Sequence, residues 1–140
     1  MSNGTPVQTA ARLVGFVFLL VGIAGFIPGL TTNLYDGLDF AGDGSEAELF
    51  GLFQVSVLHN IVHLLFGVGI FMAATPSGAR SFLIGAGAIY VVLFLLGLLD
   101  GVDWIPVNDA DDWLHLVLGV GMLGLGFGLA REREHTVATT

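Results

Sequence analysis

Apolar residues are concentrated in four segments of the chain, at residues 13–27, 49–74, 81–99 and 109–130. A helix needs about 20 mostly apolar residues to cross the hydrocarbon core of a bilayer, and the four segments come close to that length. The pattern therefore predicts four membrane-spanning helices. The segment at 49–74 is longer than one crossing requires, which indicates that part of it has another role.

Composition assigns the chain to the membrane proteins. Of its 140 residues, 54% are hydrophobic and 11% are charged, and the mean hydropathy is +0.85. These values lie outside the range of soluble globular domains. The chain has no cysteine, which excludes disulfides, thiolate metal sites and thiol catalysis. A formal net charge of −8 argues against nucleic acid as a partner.

Charged residues predict the orientation of the four spans. Arg12 precedes the first segment, Arg80 lies between the second and third, and Arg131 and Arg133 follow the fourth. Every arginine thus falls on one side, and ten of the twelve acidic residues fall on the other. Because positive residues favour the cytoplasmic side, we expect a multi-pass protein of the cell membrane with both termini in the cytoplasm. No small-x-small cleavage site follows the first segment, which we interpret as a retained helix.

The sequence contains an internal duplication. At an offset of 52 residues, HNIVHLLFGVGI aligns with DDWLHLVLGVGM, and at an offset of 72 residues the first apolar segment aligns with the third. Each copy is therefore a helical hairpin that crosses the membrane twice. The matched residues include Asn60 with Asp112, His63 with His115, Phe18 with Tyr90, and Gly25 with Gly97.

Two matched polar residues predict where the second and fourth helices begin. Ser56 and Asn108 are both preferred N-cap residues, so the second helix is expected to begin near Val57 and not at residue 49. Residues 47–54, which contain ELFGLF, then form an apolar segment at the outer membrane interface, where aromatic residues are enriched.

The predicted fold class is an all-α membrane protein, a four-transmembrane-helix bundle built from two parallel-repeat helical hairpins. It is a single membrane domain over residues 1–140, with repeat 1 at about 12–78 and repeat 2 at about 79–131. Both copies keep the same orientation, so a pseudo-twofold axis should run along the membrane normal. His63 and His115 then lie at equal depth, about 10 Å along their helices at 1.5 Å per residue.

Histidines inside the apolar helices are the main candidates for a functional site, since an ionisable side chain in hydrocarbon must be neutral, paired or facing a cavity. His59 and His63 are spaced i, i+4, and such a pair can chelate a metal when further ligands arrive. Alternatively, His63 and His115 are the axial ligands of a b-type haem. The metal hypothesis uses His59, His63, His115 and Asp111.

Two other interpretations of the same residues need no cofactor. Polar side chains can hydrogen-bond between helices, which fixes their register and contributes about 0.6 to 2 kcal/mol per bond. The duplication matches His59 with Asp111 and not with a histidine. It therefore predicts that His59 is a first-turn residue near the outer surface, with a role separate from that of His63. The structural polar cluster would consist of Asn60, His63, Asp112 and His115. A proton or ion path would use His59, His63, Asp111 and Tyr90.

Three stretches together resemble the domain of unknown function 4383 family, small four-span proteins of actinobacteria and some haloarchaea. They are LVGFVFLLVGIAGFIPGL, LFGLFQVSVLHNIVHLLFGVGI and DDWLHLVLGVGM, and the resemblance covers about residues 11–130. It implies a four-helix integral membrane protein and carries no established activity, substrate or cofactor. The family's recurring polar residues would map onto Asn60, His63, Asp111 and His115.

These observations support one main functional hypothesis and two alternatives. No nucleophile and base form a catalytic arrangement, so we expect no enzymatic activity. The main hypothesis is an accessory or self-assembling component of the lipid bilayer, as a homo-oligomer or within a larger membrane complex. The first alternative is a small haem- or metal-binding redox protein that uses His63 and His115, and the second is a small ion or proton transporter.

Overall fold

The computed structural model describes residues 4–99, 103–106 and 108–138, with side chains described as far as residue 129. Within these ranges the chain is mostly helical. Its helices are α1 (Pro6–Ala24), α2 (Val57–Phe66), α3 (Gly69–Met72), α4 (Pro76–Gly97) and α5 (Asp109–Ala138). Its strands, β1 (Thr31–Thr32), β2 (Glu48–Leu49) and β3 (Phe53–Gln54), form an antiparallel sheet in the order β1-β2-β3.

Three helices in the described ranges are long and apolar enough to cross a membrane. They are Pro6–Ala24, Pro76–Gly97 and Asp109–Leu129, with mean hydropathies of 1.9, 2.0 and 1.5. α2 and α3 together form a shorter apolar stretch, Val57–Met72, which extends for about 24 Å at 1.5 Å per residue. These helices are compatible with the membrane protein that the composition predicts.

The first helix begins before the apolar segment at 13–27 that predicts it. Gln8 Oε1 accepts a hydrogen bond from Thr5 N at 2.9 Å, as in a capping box, and Pro6 occupies the first helical position. These capping residues extend the helix beyond the apolar segment at its N-terminal end, while its last helical residue, Ala24, lies three residues before the end of that segment.

The second and fourth predicted helices begin where the two matched caps place them. Ser56 Oγ accepts from His59 N at 3.1 Å at the start of α2, and Asn108 Oδ1 accepts from Asp111 N at 3.0 Å at the start of α5. Both N-cap predictions are confirmed. α2 then passes into α3 through a turn at residues 67–68, where Ile70 N donates to Gly67 O at 3.0 Å, three residues back as in a 3₁₀-helix.

Residues 47–54 form a β-hairpin, which the apolar pattern did not predict. At its tip Phe50 and Gly51 have φ values of 56° and 65°, as the central residues of a type I′ turn require. The Phe50 side chain is 64% exposed, whereas Leu49 and Val55 beneath it are buried. Leu49, Val55 and Ala47 form a small apolar cluster that packs against Ala24 of α1. The hairpin therefore covers this end of α1.

The helices pack in two pairs that meet along α1 and α4. α1 lies against α2 and α3, α4 lies against α5, and α1 also contacts α4. Close approach depends on glycine, since a Cβ on Gly87 would lie 2.9 Å from Gly119 O of α5. The main core forms between the pairs and contains Phe18, Phe82, Leu83, Tyr90 and Met122.

Candidate functional site

Three histidines and a tyrosine meet between the two helix pairs. His59 and His63 lie on α2, Tyr90 on α4 and His115 on α5. Tyr90 is 2% exposed and His115 is 4% exposed, while both histidines of α2 are partly buried. We call these four residues the histidine cluster.

His63 is the centre of the hydrogen bonds in this cluster. Its Nε2 lies 3.1 Å from His59 Nε2 and 3.0 Å from Tyr90 Oη. The rings of the two α2 histidines are therefore in contact, contrary to the separation that the duplication suggested, while His59 lies in the first turn of α2 as predicted. An i, i+4 spacing on one helix face is sufficient to bring the rings into contact.

Tyr90 connects the two matched histidines. Its hydroxyl contacts His63, and its ring lies edge-on to His115, with ring centroids 5.0 Å apart and an interplanar angle of 86°. Among the described side chains, no hydrogen bond joins His63 to His115 directly. A bond between α4 and α2 therefore takes the place of the expected bond between the matched pair.

Aromatic contacts recur at positions that the sequence alignment of the two halves matches. Phe18 packs against His63 with ring centroids 5.7 Å apart, and its matched residue Tyr90 packs against His115, which matches His63. Phe18 and Tyr90 also contact each other at 5.3 Å. The hydroxyl group of Tyr90 is the chemical difference between these matched aromatic positions, and only this hydroxyl can bond to an imidazole.

The hydrogen bonds of the cluster do not use every imidazole nitrogen. A neutral imidazole carries one N–H, and the bond between the two Nε2 atoms of His59 and His63 uses the N–H of one ring. The other ring accepts through Nε2, so it must carry its proton on Nδ1. Both Nδ1 atoms are buried without a partner among the described residues. The cluster thus retains unused hydrogen-bonding capacity whichever ring donates.

Asp111, a candidate metal ligand, is bound to the backbone. Its Oδ2 accepts from Asn108 N at 3.2 Å and from Gln54 N at 3.0 Å. The first bond completes a reciprocal capping box with Asn108, and the second ties β3 to α5. In the described part of the chain, no three His, Asp or Glu side chains are arranged to hold a metal ion.

Asn60 and Asp112 lie outside the histidine cluster, each facing a glycine of its own helix pair. Asn60 is 1% exposed, and its Nδ2 donates to Gly25 O at 2.9 Å. A Cβ on Gly25 would collide with the Asn60 amide, and a Cβ on Gly97 would collide with the Asp112 carboxyl group. The matched glycines thus meet matched polar side chains. Of the predicted structural polar cluster, His63 and His115 share a contact with Tyr90, and Asn60 and Asp112 do not join them.

The histidine cluster lines two cavities. The larger has a volume of about 210 Å³ and lies between α2, α4 and residues 104–106. The smaller has a volume of about 100 Å³ and lies between α1, α5 and the β-hairpin. His59, His63, Tyr90 and His115 contribute to both.

The walls of the two cavities are built from matched residues. Ile89, Tyr90 and Leu93 of α4 line the larger cavity, and their counterparts Val17, Phe18 and Val21 of α1 line the smaller. Further matched pairs across the two walls are Val62 with Leu114, His63 with His115, Phe66 with Leu118, and Ile105 with Phe53. Position 59 is histidine where position 111 is aspartate. His59 lines both cavities, whereas Asp111 lines the smaller one.

Sequence reasoning missed two contributors to this arrangement. Gln8 Nε2 donates to Ala73 O and Ala74 O, both at 3.0 Å, and so joins the start of α1 to the end of α3. The spacing of Thr5 and Gln8 was a readable capping-box signal. Gln54 contributes through its backbone N, for which no side-chain pattern gives a signal.

One comparison with known proteins gives a match. A family model described as Domain of unknown function (DUF4383) matches residues 8–128. No curated protein and no solved structure matches the chain.

Proposed function

The chain belongs to the family described as Domain of unknown function (DUF4383), and from this premise we propose that it is a four-span membrane protein without enzymatic activity. In this proposal two helical hairpins, α1 with α2–α3 and α4 with α5, are held together by the histidine cluster. The protein serves as an accessory or self-assembling component of the cell membrane.

One observation carries the four-span arrangement: α2–α3 runs back alongside the whole of α1. Near one end Asn60 Nδ2 donates to Gly25 O, and at the other end Gln8 Nε2 donates to Ala73 O. The α1 segment between these contacts, residues 8–25, extends for about 25 Å at 1.5 Å per residue. The contacts of α2–α3 with both ends of this segment support a second crossing of the same depth.

Contacts between the hairpins support the structural role of the cluster. The bond from Tyr90 Oη to His63 Nε2 joins α4 to α2, and Phe18 packs against Tyr90 across the same interface. In lipid, where apolar surfaces are not driven together by water, such interhelical hydrogen bonds select the partner and its register.

The hydrogen bonds of Ser56 and Asp111, near the cluster, support the proposal that the protein is not an enzyme. The Ser56 hydroxyl lines the larger cavity, but it accepts a hydrogen bond from His59 N as the α2 cap. Asp111 is likewise held by two backbone N–H groups. The position of each group is thus accounted for by a structural partner, without a catalytic role.

Arginine positions support cytoplasmic termini. Arg12 Nη2 lies 3.4 Å from Ala73 O, which places this arginine at the same end of the molecule as the link between α3 and α4. Arg80 lies in the first turns of α4, near the same end. Arg131 and Arg133 belong to the part of α5 whose side chains are not described. The positive-inside rule then assigns this end to the cytoplasm.

Single cysteines test the number of spans directly, because the chain has no cysteine of its own. Asp36→Cys and Asp103→Cys place a thiol at exposed positions in two connections, and Ser77→Cys places one at an exposed position in the first turn of α4, beside the connection between them. With a membrane-impermeant maleimide on intact cells, we expect labelling at 36 and 103, and labelling at 77 only after lysis.

The alternative topology gives the opposite result at two positions. If residues 57–72 do not cross the membrane, residues 36 and 77 share the outer side and residue 103 becomes cytoplasmic. Labelling of Ser77→Cys in intact cells, together with protection of Asp103→Cys, would rule out the four-span arrangement. The unmodified chain is the control for non-specific labelling.

A further inference from the structure

The larger cavity lies where α2 and α4 are held apart. α2 packs against α1, and α4 packs against α5 and α1, whereas α2 and α4 make few direct contacts. The rim residues Val62, Ile89 and Trp104 are 36%, 48% and 64% exposed. In the proposed four-span arrangement this apolar rim faces the hydrocarbon, so the cavity opens toward lipid. Entry from the lipid rests on the proposed four-span arrangement. The existence of the cavity does not rest on it.

The inner wall of the cavity carries one imidazole with no partner in the described structure. His115 is 4% exposed, and its Nδ1 is enclosed without a hydrogen bond among the described residues. Its Nε2 likewise has no partner among them, and it is not among the enclosed atoms. His115 lines both cavities, and the nitrogen that it can present to a ligand there is therefore Nε2.

Size and wall chemistry define what fits beside this nitrogen. The volume of about 210 Å³ exceeds that of an engineered cavity of about 150 Å³ that binds benzene. It is smaller than the roughly 300–1,000 Å³ typical of sites for drug-sized ligands. Phe66, Tyr90 and Trp104 contribute aromatic surface to the walls, and aromatic rings pack well against one another. A single substituted aromatic ring matches both the volume of the cavity and its aromatic walls.

A hydroxyl group is the polar substituent that suits His115. A neutral imidazole nitrogen can donate or accept, according to its tautomer, and a hydroxyl group can do either. We propose that the larger cavity binds a small lipid-soluble molecule that carries one hydroxylated aromatic ring, with its hydroxyl group on His115 Nε2.

Other occupants satisfy the cavity less well. An acyl chain from the bilayer would leave the His115 nitrogen unpaired. A buried water molecule requires two to four polar partners, and the cavity wall is almost entirely apolar. A hydroxylated ring uses both the apolar walls and the single open nitrogen.

Trp104 offers a direct reporter of binding, because it lines the larger cavity. The chain has two tryptophans, and the other, Trp113, packs against Phe94 with ring centroids 6.0 Å apart. We use the Trp113→Phe variant in lipid nanodiscs as the parent and titrate it with 4-ethylphenol. We expect a saturable change in Trp104 fluorescence, and an affinity for ethylbenzene about fivefold weaker through loss of one hydrogen bond.

Matched variants separate the larger cavity from general partition into the bilayer. Ile89→Phe fills the larger cavity, and Val17→Phe places the same side chain at the matched position of the smaller one. We expect the first to weaken 4-ethylphenol binding at least tenfold and the second to change it less than twofold. Should Ile89→Phe fail to fold, Val62→Phe and its match Leu114→Phe serve the same purpose. His115→Leu should abolish the preference for 4-ethylphenol over ethylbenzene.

Three results would overturn the proposal. The first is a fluorescence response that does not saturate, or that Ile89→Phe and Val17→Phe reduce equally. The second is equal affinity for ethylbenzene and 4-ethylphenol in the parent. The third is quenching of Trp104 by brominated acyl chains that 4-ethylphenol does not relieve, which would make a lipid chain the occupant. Since cysteine labelling tests the spans independently, either proposal can fail without the other.

Discussion

Gly25, the C-cap of α1, lies directly against the Asn60 side chain of α2, so replacing it with alanine should destabilise the protein. Its φ of −61° is accessible to alanine, which means that the effect of Gly25→Ala is steric and not conformational. The added Cβ would collide with the Asn60 amide, which is 1% exposed and has no free volume into which to retreat. Overpacking of this kind costs about 1 to 3 kcal/mol.

Thermal unfolding in detergent measures this loss. At about 3 to 4 °C per kcal/mol for a chain of this size, we expect the midpoint to fall by about 3 to 12 °C. Gly121→Ala is the matched control, because a Cβ at this helical position meets no atom of the described structure within 4 Å. The double variant Gly25→Ala/Asn60→Ala should lose less stability than the sum of the losses in the two single variants. Equal midpoints for Gly25→Ala and Gly121→Ala, or strict additivity in the double variant, would refute the close contact.

Four further outcomes follow from the site. Gly97→Ala should repeat the effect of Gly25→Ala through Asp112, and a neutral result in the same unfolding assay would count against equivalent hairpins. Tyr90→Phe should lower stability by about 1 kcal/mol by removing the bond to His63, while Tyr35→Phe, at an 84% exposed position, should have no effect. Asp111→Ala should cost about 1 to 3 kcal/mol by leaving two backbone N–H groups without their acceptor, whereas the exposed Asp109→Ala should stay within about 0.5 kcal/mol. Purified protein should show no Soret band and no stoichiometric metal, and either signal would favour the redox alternative that uses His63 and His115.

Local signals predicted the parts of the fold that local chemistry determines. Ser56 and Asn108 precede apolar helices and carry side-chain oxygens that accept from the N3 backbone N–H, and they cap α2 and α5 as expected. The long apolar helices were also predictable, because their hydrophobic residues extend over the length that a bilayer requires.

Contacts between distant segments were harder to predict. Tyr90 bonds to His63 across 27 residues, and the sequence gave no reason to prefer this partner over His115. β2 and β3 have two residues each, too few for an alternating pattern, and Asp111 ties the second of them to α5 through a backbone atom. Side-chain patterns do not record such bonds.

Each of the two cavities takes walls from both hairpins, which bears on how such a chain could have originated. A single hairpin that paired with a copy of itself around a twofold axis would form two identical cavities, each needing both copies. In the duplication that we propose from the sequence, fusion into one chain frees positions 59 and 111 from identity. Asp111 then turns to the backbone beside the cavity of about 100 Å³, while His59 keeps its contact with His63 and lines both cavities. In this scheme, joining the copies allows one cavity to specialise while the other supports the scaffold.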